Sequence, residues 1–306
     1  MTHPLSFEGV YPILATPFHD NEEVDLESMD RLIRFMAALR VDGLTILGVL
    51  GEANRMLDRD REALIRVAVK AAAGLPVIVG TSHSGTQAAL GLSQMAQELG
   101  ARAVMVTPHA EAVPSEERVL EYYRAIASGI RIPIVLQDHP ASSGVHMSVP
   151  LMLRIVAELP LIAAMKEEAL PTAPKIRTLI QGMSVRKVPI LTGLGALYGQ
   201  FDLEAGSSGF NTGFAFPEAL TAMVQAARVG DVARMRQIYT RFLPLIVFEQ
   251  QPGVAVRKEI LRLRGAIAGN RVRHPGAAIQ PAVAAQLRQL IEQVLPGVDI
   301  TQPLTV

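Results

Sequence analysis

Lys166 stands where a side-chain amine can act as a nucleophile. The chain carries five lysines, at positions 70, 166, 175, 187 and 258, against 24 arginines. Four of them sit in helix-like or loop contexts, whereas Lys166 closes the apolar run Leu161-Ile162-Ala163-Ala164-Met165. A lysine ending a buried strand is poorly solvated, which moves its pKa from ~10.4 toward the ~7–8 of a reactive amine. Such an amine condenses with a ketone to an imine, an electron sink for charge on the neighbouring carbon. The plainer reading is a structural ion pair with Glu167, Glu168 or Glu52.

Other segments offer less. Gly48-Val49-Leu50-Gly51-Glu52 is a tight turn whose glycines let backbone amides approach a small ligand, or an ordinary loop. His83, His109 and His139 lack the local spacing of zinc motifs, so no metal site is expected. No Ser-His-Asp order, P-loop or dinucleotide fingerprint is present, and Gly206-Ser207-Ser208-Gly209 reads as a strand entrance with close backbone packing.

The elements that must position these residues recur about eight times. Buried strands are expected at Gly9–Phe18, Gly43–Leu50, Pro76–Thr81, Ala103–Thr107, Pro133–Gln137, Leu161–Lys166, Val188–Thr192 and Gly206–Phe210. They are short, and several are rich in Val and Ile, as parallel strands covered on both faces should be. Amphipathic segments lie between them. In Asp25–Leu39 the apolar positions Leu26, Met29, Leu32, Ile33, Phe35 and Met36 form one helical stripe. Eight strand–helix units predict an α/β fold, a (β/α)8 TIM barrel, over residues 1–224. A doubly wound sheet is the rival, but the first strand ends Leu14-Ala15-Thr16-Pro17-Phe18 without a glycine-rich phosphate turn. Beyond 224 the strand signal stops, and Ala226–Phe242, Gly253–Ile267 and Pro281–Val294 predict a C-terminal three-helix extension over residues 225–306.

Composition narrows the function classes. Hydrophobic residues make up 49% of the 306 and charged residues 19%, enough for a large core. The absence of cysteine excludes disulfides, thiolate catalysis and iron–sulfur clusters. Balanced charge, 29 basic against 29 acidic side chains, argues against a nucleic-acid partner. No membrane-length apolar run occurs, and Met-Thr-His-Pro-Leu-Ser-Phe-Glu at the start does not read as a signal peptide, so a cytoplasmic protein is expected.

In a barrel the site gathers at the C-terminal strand ends. Those ends carry Thr16, Gly48 to Glu52, His83, Thr107-Pro108-His109, Gln137-Asp138-His139, Lys166-Glu167-Glu168 and Gly209-Phe210-Asn211. Strand alternation puts Gln137 and His139 on one side and Asp138 on the other.

With these residues in place, the chain resembles the dihydrodipicolinate synthase and N-acetylneuraminate lyase family. The resemblance spans nearly its whole length. It is carried by Gly9-Val10-Tyr11-Pro12 through Thr16-Pro17-Phe18, the Gly48-to-Glu52 turn, Gly80-Thr81-Ser82, Thr107-Pro108, Ile132-Pro133-Ile134-Val135-Leu136, Lys166-Glu167, Pro252 and Lys258. It implies a barrel with a helical extension, a homo-oligomer of tetramer type, no cofactor, and a Schiff base on Lys166 with a pyruvate-like 2-keto acid. It also implies that Glu52 mainly supports its turn.

The departures are specific. The family's Gly-Thr-Thr-Gly-Glu is Gly48-Val49-Leu50-Gly51-Glu52, its fifth-strand tyrosine is Gln137, and its tyrosine pair after Thr-Pro is His109-Ala110. The arginine of a true dihydrodipicolinate synthase matches Ser142, so lysine biosynthesis is not expected. Gln137-Asp138-His139-Pro140-Ala141-Ser142, Phe242-Leu243-Pro244-Leu245-Ile246, Glu249 and Arg271-Val272-Arg273-His274-Pro275 look most like the L-2-keto-3-deoxyarabonate dehydratase branch, which also lacks the tyrosine. That branch has Ser-Glu where this chain has Gly51-Glu52.

The expected function is a Schiff-base lyase of a 2-keto acid, with dehydration of a 2-keto-3-deoxy sugar acid ahead of aldol cleavage. A non-catalytic 2-keto-acid-binding homologue is the third reading. Lys166, His109 and Gln137 are the expected catalytic residues. His109 stands ahead of Glu52 for proton transfer because an imidazole titrates at ~6.5, whereas Gln137 can only hydrogen-bond. Gly48, Val49, Leu50, Glu52, Asp138, Ser142, Gly209, Phe210 and Asn211 are the expected substrate contacts.

Overall fold

The computed structural model describes residues 5–113, 115–251 and 253–306. Residues 1–4, which open the N-terminal stretch discussed above, and Pro252 of the family pattern lie outside the described residues. Eight strands run in parallel: β1 (Gly9–Val10), β2 (Leu44–Ile46), β3 (Val77–Gly80), β4 (Ala103–Val106), β5 (Ile134–Asp138), β6 (Ile162–Glu167), β7 (Ile190–Thr192) and β8 (Gly209–Phe210). Their order is β1-β8-β7-β6-β5-β4-β3-β2. A parallel bridge between Ile13 and Thr45 curls the ends of this sheet together. Leu14 N–H donates to Thr45 O at 2.8 Å and Thr45 N–H to Pro12 O at 2.8 Å across the same seam. The sheet is that of a (β/α)8 barrel.

The strands are shorter than their sequence runs. The expected Gly9–Phe18 strand is paired as a ladder only at Gly9–Val10, and Gly43–Leu50 pairs only at Leu44–Ile46 before Val49–Gly51 coils into a 3-10 turn. The apolar run continues because the emerging loop is itself buried.

Alternation sorts the side chains. Tyr11, Ile78, Ala103, Met105, Val135, Ala164 and Leu191 fill the bore as one cluster. Their neighbours Val10, Val79, Val104, Leu136, Met165 and Ile190 face outward into a second cluster shared with the helices.

The helices are α1 (Leu26–Ala38), α2 (Asp58–Ala71), α3 (Thr86–Glu98), α4 (Glu116–Gly129), α5 (Pro140–Ser143), α6 (Val149–Glu158), α7 (Thr172–Gly182), α8 (Gly199–Glu204), α9 (Pro217–Arg228), α10 (Val232–Phe248), α11 (Val254–Leu263) and α12 (Pro281–Val294). The first shows the sequence logic. Asp25 caps it by accepting the Ser28 N–H at 2.9 Å, and Met29, Leu32, Ile33 and Met36 bury its stripe. Burying each such side chain is worth ~1.5–3 kcal/mol.

After the barrel the expected Ala226–Phe242 helix is two helices. Gly230 turns the chain at φ 75°, and Asp231 caps a new start by accepting the Arg234 N–H at 2.9 Å. Helix α10 then runs through Pro244 to Phe248. Residue 224, the expected boundary, lies inside α9. Phe242, Leu245, Ile260 and Leu287 belong to the same cluster as the outer barrel residues, so these helices share the barrel's outer core. Buried Arg264 fastens them: it pairs with Glu218 at 2.5 Å, donates to Ala215 O at 2.7 Å and lies over the Phe216 ring. Among the described residues no helix is long and apolar enough to cross a membrane.

Candidate active site

The ends of β5 and β6 lie in register, Gln137 beside Lys166 and Asp138 beside Glu167. Val135 and Ala164 face the bore, so two residues further on Gln137 and Lys166 face it as well, and both are buried. Glu168 follows at the same spacing, above Lys166 on that face. Its carboxylate is the hub of the site. Lys166 Nζ is 3.0 Å from Glu168 Oε2, Gln137 Nε2 donates to the same oxygen at 2.7 Å, and Leu194 N–H donates to Oε1 at 3.0 Å. Burial alone would raise the Glu168 carboxyl, but the charges of Lys166 and His139 and the bonds from Gln137 and Leu194 outweigh it and hold it below the usual range.

Two neighbours complete the cluster. His139 Nδ1 is 3.9 Å from Glu168 Oε2 and 2.7 Å from Ser142 Oγ. Burial pushes its imidazole down, with Glu168 opposing. Gly193 must be glycine, because a Cβ there would come within 2.2 Å of Glu168 Cγ. The arrangement therefore holds an amine, a carboxylate kept ionised, and a fixed amide donor at one point inside the barrel mouth.

Across the bore lies the turn from Gly48 to Glu52. Ile13 Cγ2 and Met105 Cε stand 3.1 and 3.4 Å from where a Gly48 Cβ would be, so a side chain there would crowd the floor. Thr16 Oγ1 donates to Gly51 O at 2.7 Å. Glu52, at φ 56°, is fully occupied from below. It accepts from Arg55 Nη1 at 2.8 Å, Arg273 N–H at 3.0 Å and Lys258 Nζ at 2.5 Å. Lys258 also donates to Arg271 O at 2.6 Å and sits 4.4 Å from the Phe18 ring centroid. Burial lowers the Lys258 amine to about 8, with Glu52 opposing the shift. The Lys258 and Arg273 bonds thus fasten Glu52 and its turn to α11 and the segment that follows it.

The structure separates other expected contacts from this cluster. His109 lines a cavity of about 740 Å³ with Ser84, Tyr122, Val145 and His146, and none of Lys166, Gln137 or Glu168 borders it. Burial and then His83 lower its imidazole, and its Nδ1 has no partner among the described residues. Asp138 points outward to Lys175, as alternation requires. Ser142 is exposed and holds the His139 ring. Phe210 faces the helices in the outer core, and a Cβ on Gly209 would lie 1.9 Å from Gly9 O, so that position serves strand packing. Asn211 is buried and donates to Thr45 Oγ1 at 2.7 Å and Tyr11 O at 3.3 Å, tying strands together below the mouth. Leu50 packs where a Gly213 side chain would be, while Val49 is half exposed.

The sequence places Glu168 among the strand-end residues and as an ion-pair partner of Lys166 without giving it a catalytic role, and it does not single out Gly193 or Leu194. The signal for Glu168 was available: the alternation applied to Gln137 and His139 also puts residues 166 and 168 on one face.

The profile described as "Dihydrodipicolinate synthetase family" matches residues 6–294. The L-2-keto-3-deoxyarabonate dehydratase of Azospirillum brasilense is 36% identical over 295 residues, covering 94% of this chain and 94% of that protein. The 4-hydroxy-tetrahydrodipicolinate synthase of Thermomicrobium roseum is 31% identical over 281 residues, 90% of each. The crystal structure of dihydrodipicolinate synthase from Rhodopseudomonas palustris superposes with a TM-score of 0.89 at 33% identity, covering 94% of this chain and 98% of that one.

Proposed function

The chain belongs to the dihydrodipicolinate synthetase family, and we propose that it is a Schiff-base lyase that dehydrates a 2-keto-3-deoxy sugar acid. The observation that carries this reading is Lys166 buried in the bore with the Glu168 carboxylate 3.0 Å from its Nζ and an amide, not a phenol, beside it. The likeness to a dehydratase over 94% of the chain supports the choice of dehydration.

In this reading Lys166 Nζ attacks the C2 ketone, and loss of water gives an iminium. Glu168 takes the C3 proton, forming the neutral enamine. Loss of the iminium charge removes the cation that kept Glu168 ionised, so its hold on the proton strengthens at the step where it has just acquired one. Glu168 then returns that proton to the departing C4 hydroxyl, water leaves, and hydrolysis of the imine frees Lys166. Gln137 and the Leu194 N–H keep the carboxylate in place. In this reading the substrate carboxylate lies at the Gly48 turn, where the Val49 and Leu50 N–H groups precede the turn's first internal bond, from Gly51 N–H to Gly48 O at 2.9 Å. No cofactor is required, since the imine is the electron sink. Helices α10–α12 form the extension, and several copies assemble, which light scattering reads directly.

Product analysis on a panel of 2-keto-3-deoxy acids tests the reading. Loss of water with the carbon chain intact supports it. Release of pyruvate with an aldehyde makes the protein an aldolase on the same lysine, and no turnover with retained imine formation makes it a binding protein.

A further inference from the structure

Behind the site, on the outward face of the same two strands, lie two carboxyl groups with one cation. Asp138 and Glu167 are register partners on β5 and β6, and both are fully buried. Lys175, from α7, pairs with Asp138 Oδ2, donates to Met147 O at 3.0 Å and stands 3.8 Å from Glu167 Oε2. Glu167 Oε1 accepts the Ala169 N–H at 2.7 Å. That leaves Asp138 Oδ1 and Glu167 Oε2 buried with no hydrogen-bond partner among the described residues, on side chains that leave the same face of adjacent strands at paired positions.

We propose that Asp138 and Glu167 share one proton, and that this pair with Lys175 is a positioning device that locks the ends of β5 and β6 and so sets Gln137 against Lys166. Two ionised carboxylates have no donor to place between them, and a single proton satisfies both orphan oxygens at once. Apart from the Met147 N–H, which faces the Asp138 carboxyl and favours its ionised form, the groups around the pair offer no further donor. Lys175 is already committed to Asp138 Oδ2, Tyr123 from α4 spends its hydroxyl on Val106 O at 2.9 Å, and Glu168, the next residue, is held ionised by Lys166 on the bore side. With the proton present, the cluster is one carboxylate, one carboxylic acid and one ammonium, neutral in a buried space. Burial first and the Asp138 charge second raise Glu167 to about 9, and burial raises Asp138 too. Loss of the proton puts like charges on adjacent strand ends, one residue from Gln137 and Lys166.

The proton itself is independent of the reaction; only the positioning role rests on the Schiff-base reading, which imine trapping tests separately. Infrared difference spectroscopy on the intact protein reads the C=O stretch of a buried protonated carboxyl. The expected result is a protonated-carboxyl band at pH 7 in the difference between the wild type and Glu167→Gln, and between the wild type and Asp138→Asn, with imine trapping retained in Glu167→Gln. The pH profile of imine formation should fall on the alkaline side in the wild type and lose that fall in Glu167→Gln, where an amide donates to Asp138 at every pH. Lys258, whose amine burial lowers to about 8, is present in both proteins and cancels in the comparison. A wild-type-minus-Glu167→Gln difference spectrum with no protonated-carboxyl band overturns the shared proton; Glu249, which burial raises to about 7, and Asp202, raised to about 6, are present in both proteins and cancel in the difference. An alkaline fall that Glu167→Gln leaves unchanged overturns the positioning role.

Discussion

Replacing Glu168 by glutamine separates imine formation from proton transfer. The carboxylate accepts three donors, Lys166 and Gln137 on Oε2 and the Leu194 N–H on Oε1. An amide of the same shape has one oxygen and one NH2. With its oxygen toward Lys166 and Gln137, its NH2 faces the Leu194 N–H; flipped, its NH2 faces the other two. Either way at least one buried donor meets a donor, a penalty of ~1–3 kcal/mol for each. The Lys166 charge also loses its nearest counter-charge, and breaking a buried pair costs ~3–5 kcal/mol where the charge persists. The fold survives both, since the outer core is untouched, and melting shifts down by several degrees. The kinetic effect is larger. Without a group to move the C3 proton, turnover should fall by ~10²–10⁴-fold, the usual worth of a general acid–base. Borohydride trapping of the pyruvate imine at Lys166 should persist, because attack on the ketone needs only the amine. Steady-state rates with intact-mass trapping on one preparation check both. Turnover in Glu168→Gln equal to the wild type would refute the role given to Glu168.

Three further perturbations follow from the same geometry. His109→Asn, in the separate cavity, should keep both imine trapping and turnover near wild type; a ~10²–10⁴-fold loss would return proton transfer to the imidazole. Gly193→Ala should displace Glu168, whose Cγ lies 2.2 Å from the added Cβ, and lower turnover by ~10²-fold, while circular dichroism shows the fold intact. Lys258→Met removes one of the three donors to Glu52 and should cost ~1.5–3 kcal/mol in urea unfolding, with a raised KM as the Gly48 turn loosens.

The barrel is readable because parallel strands covered on both faces are short apolar runs, and helices between them must show a stripe. Lys166 is readable for the same reason: a lone cation closing such a run is conspicuous. Gln137 and Asp138 divide as alternation requires, one into the bore and one outward. Glu168 obeys the same rule, but it follows the strand and carries an acidic neighbour, so its side was not drawn from sequence. Glu52 and Lys258 are 206 residues apart, and nothing local announces their pairing. The path of the chain after β4 is equally non-local: the loop carrying His109 bends toward α5, where Ala110 N–H donates to Ser143 O at 2.9 Å. In the same way Phe210 reads as a strand-end contact until the helices that cover it are known. Helix boundaries after β8 depend on a single capping aspartate, Asp231, within an otherwise continuous helical pattern.

The central claim is that Lys166 forms a covalent imine with a 2-keto acid. Incubation with pyruvate and borohydride, followed by intact mass and peptide mapping, measures it in one experiment. The account predicts a single pyruvate-derived adduct on the peptide containing Lys166, absent from Lys166→Ala. No adduct on the folded wild-type protein, or an adduct on Lys70, Lys175, Lys187 or Lys258 in place of Lys166, would contradict it.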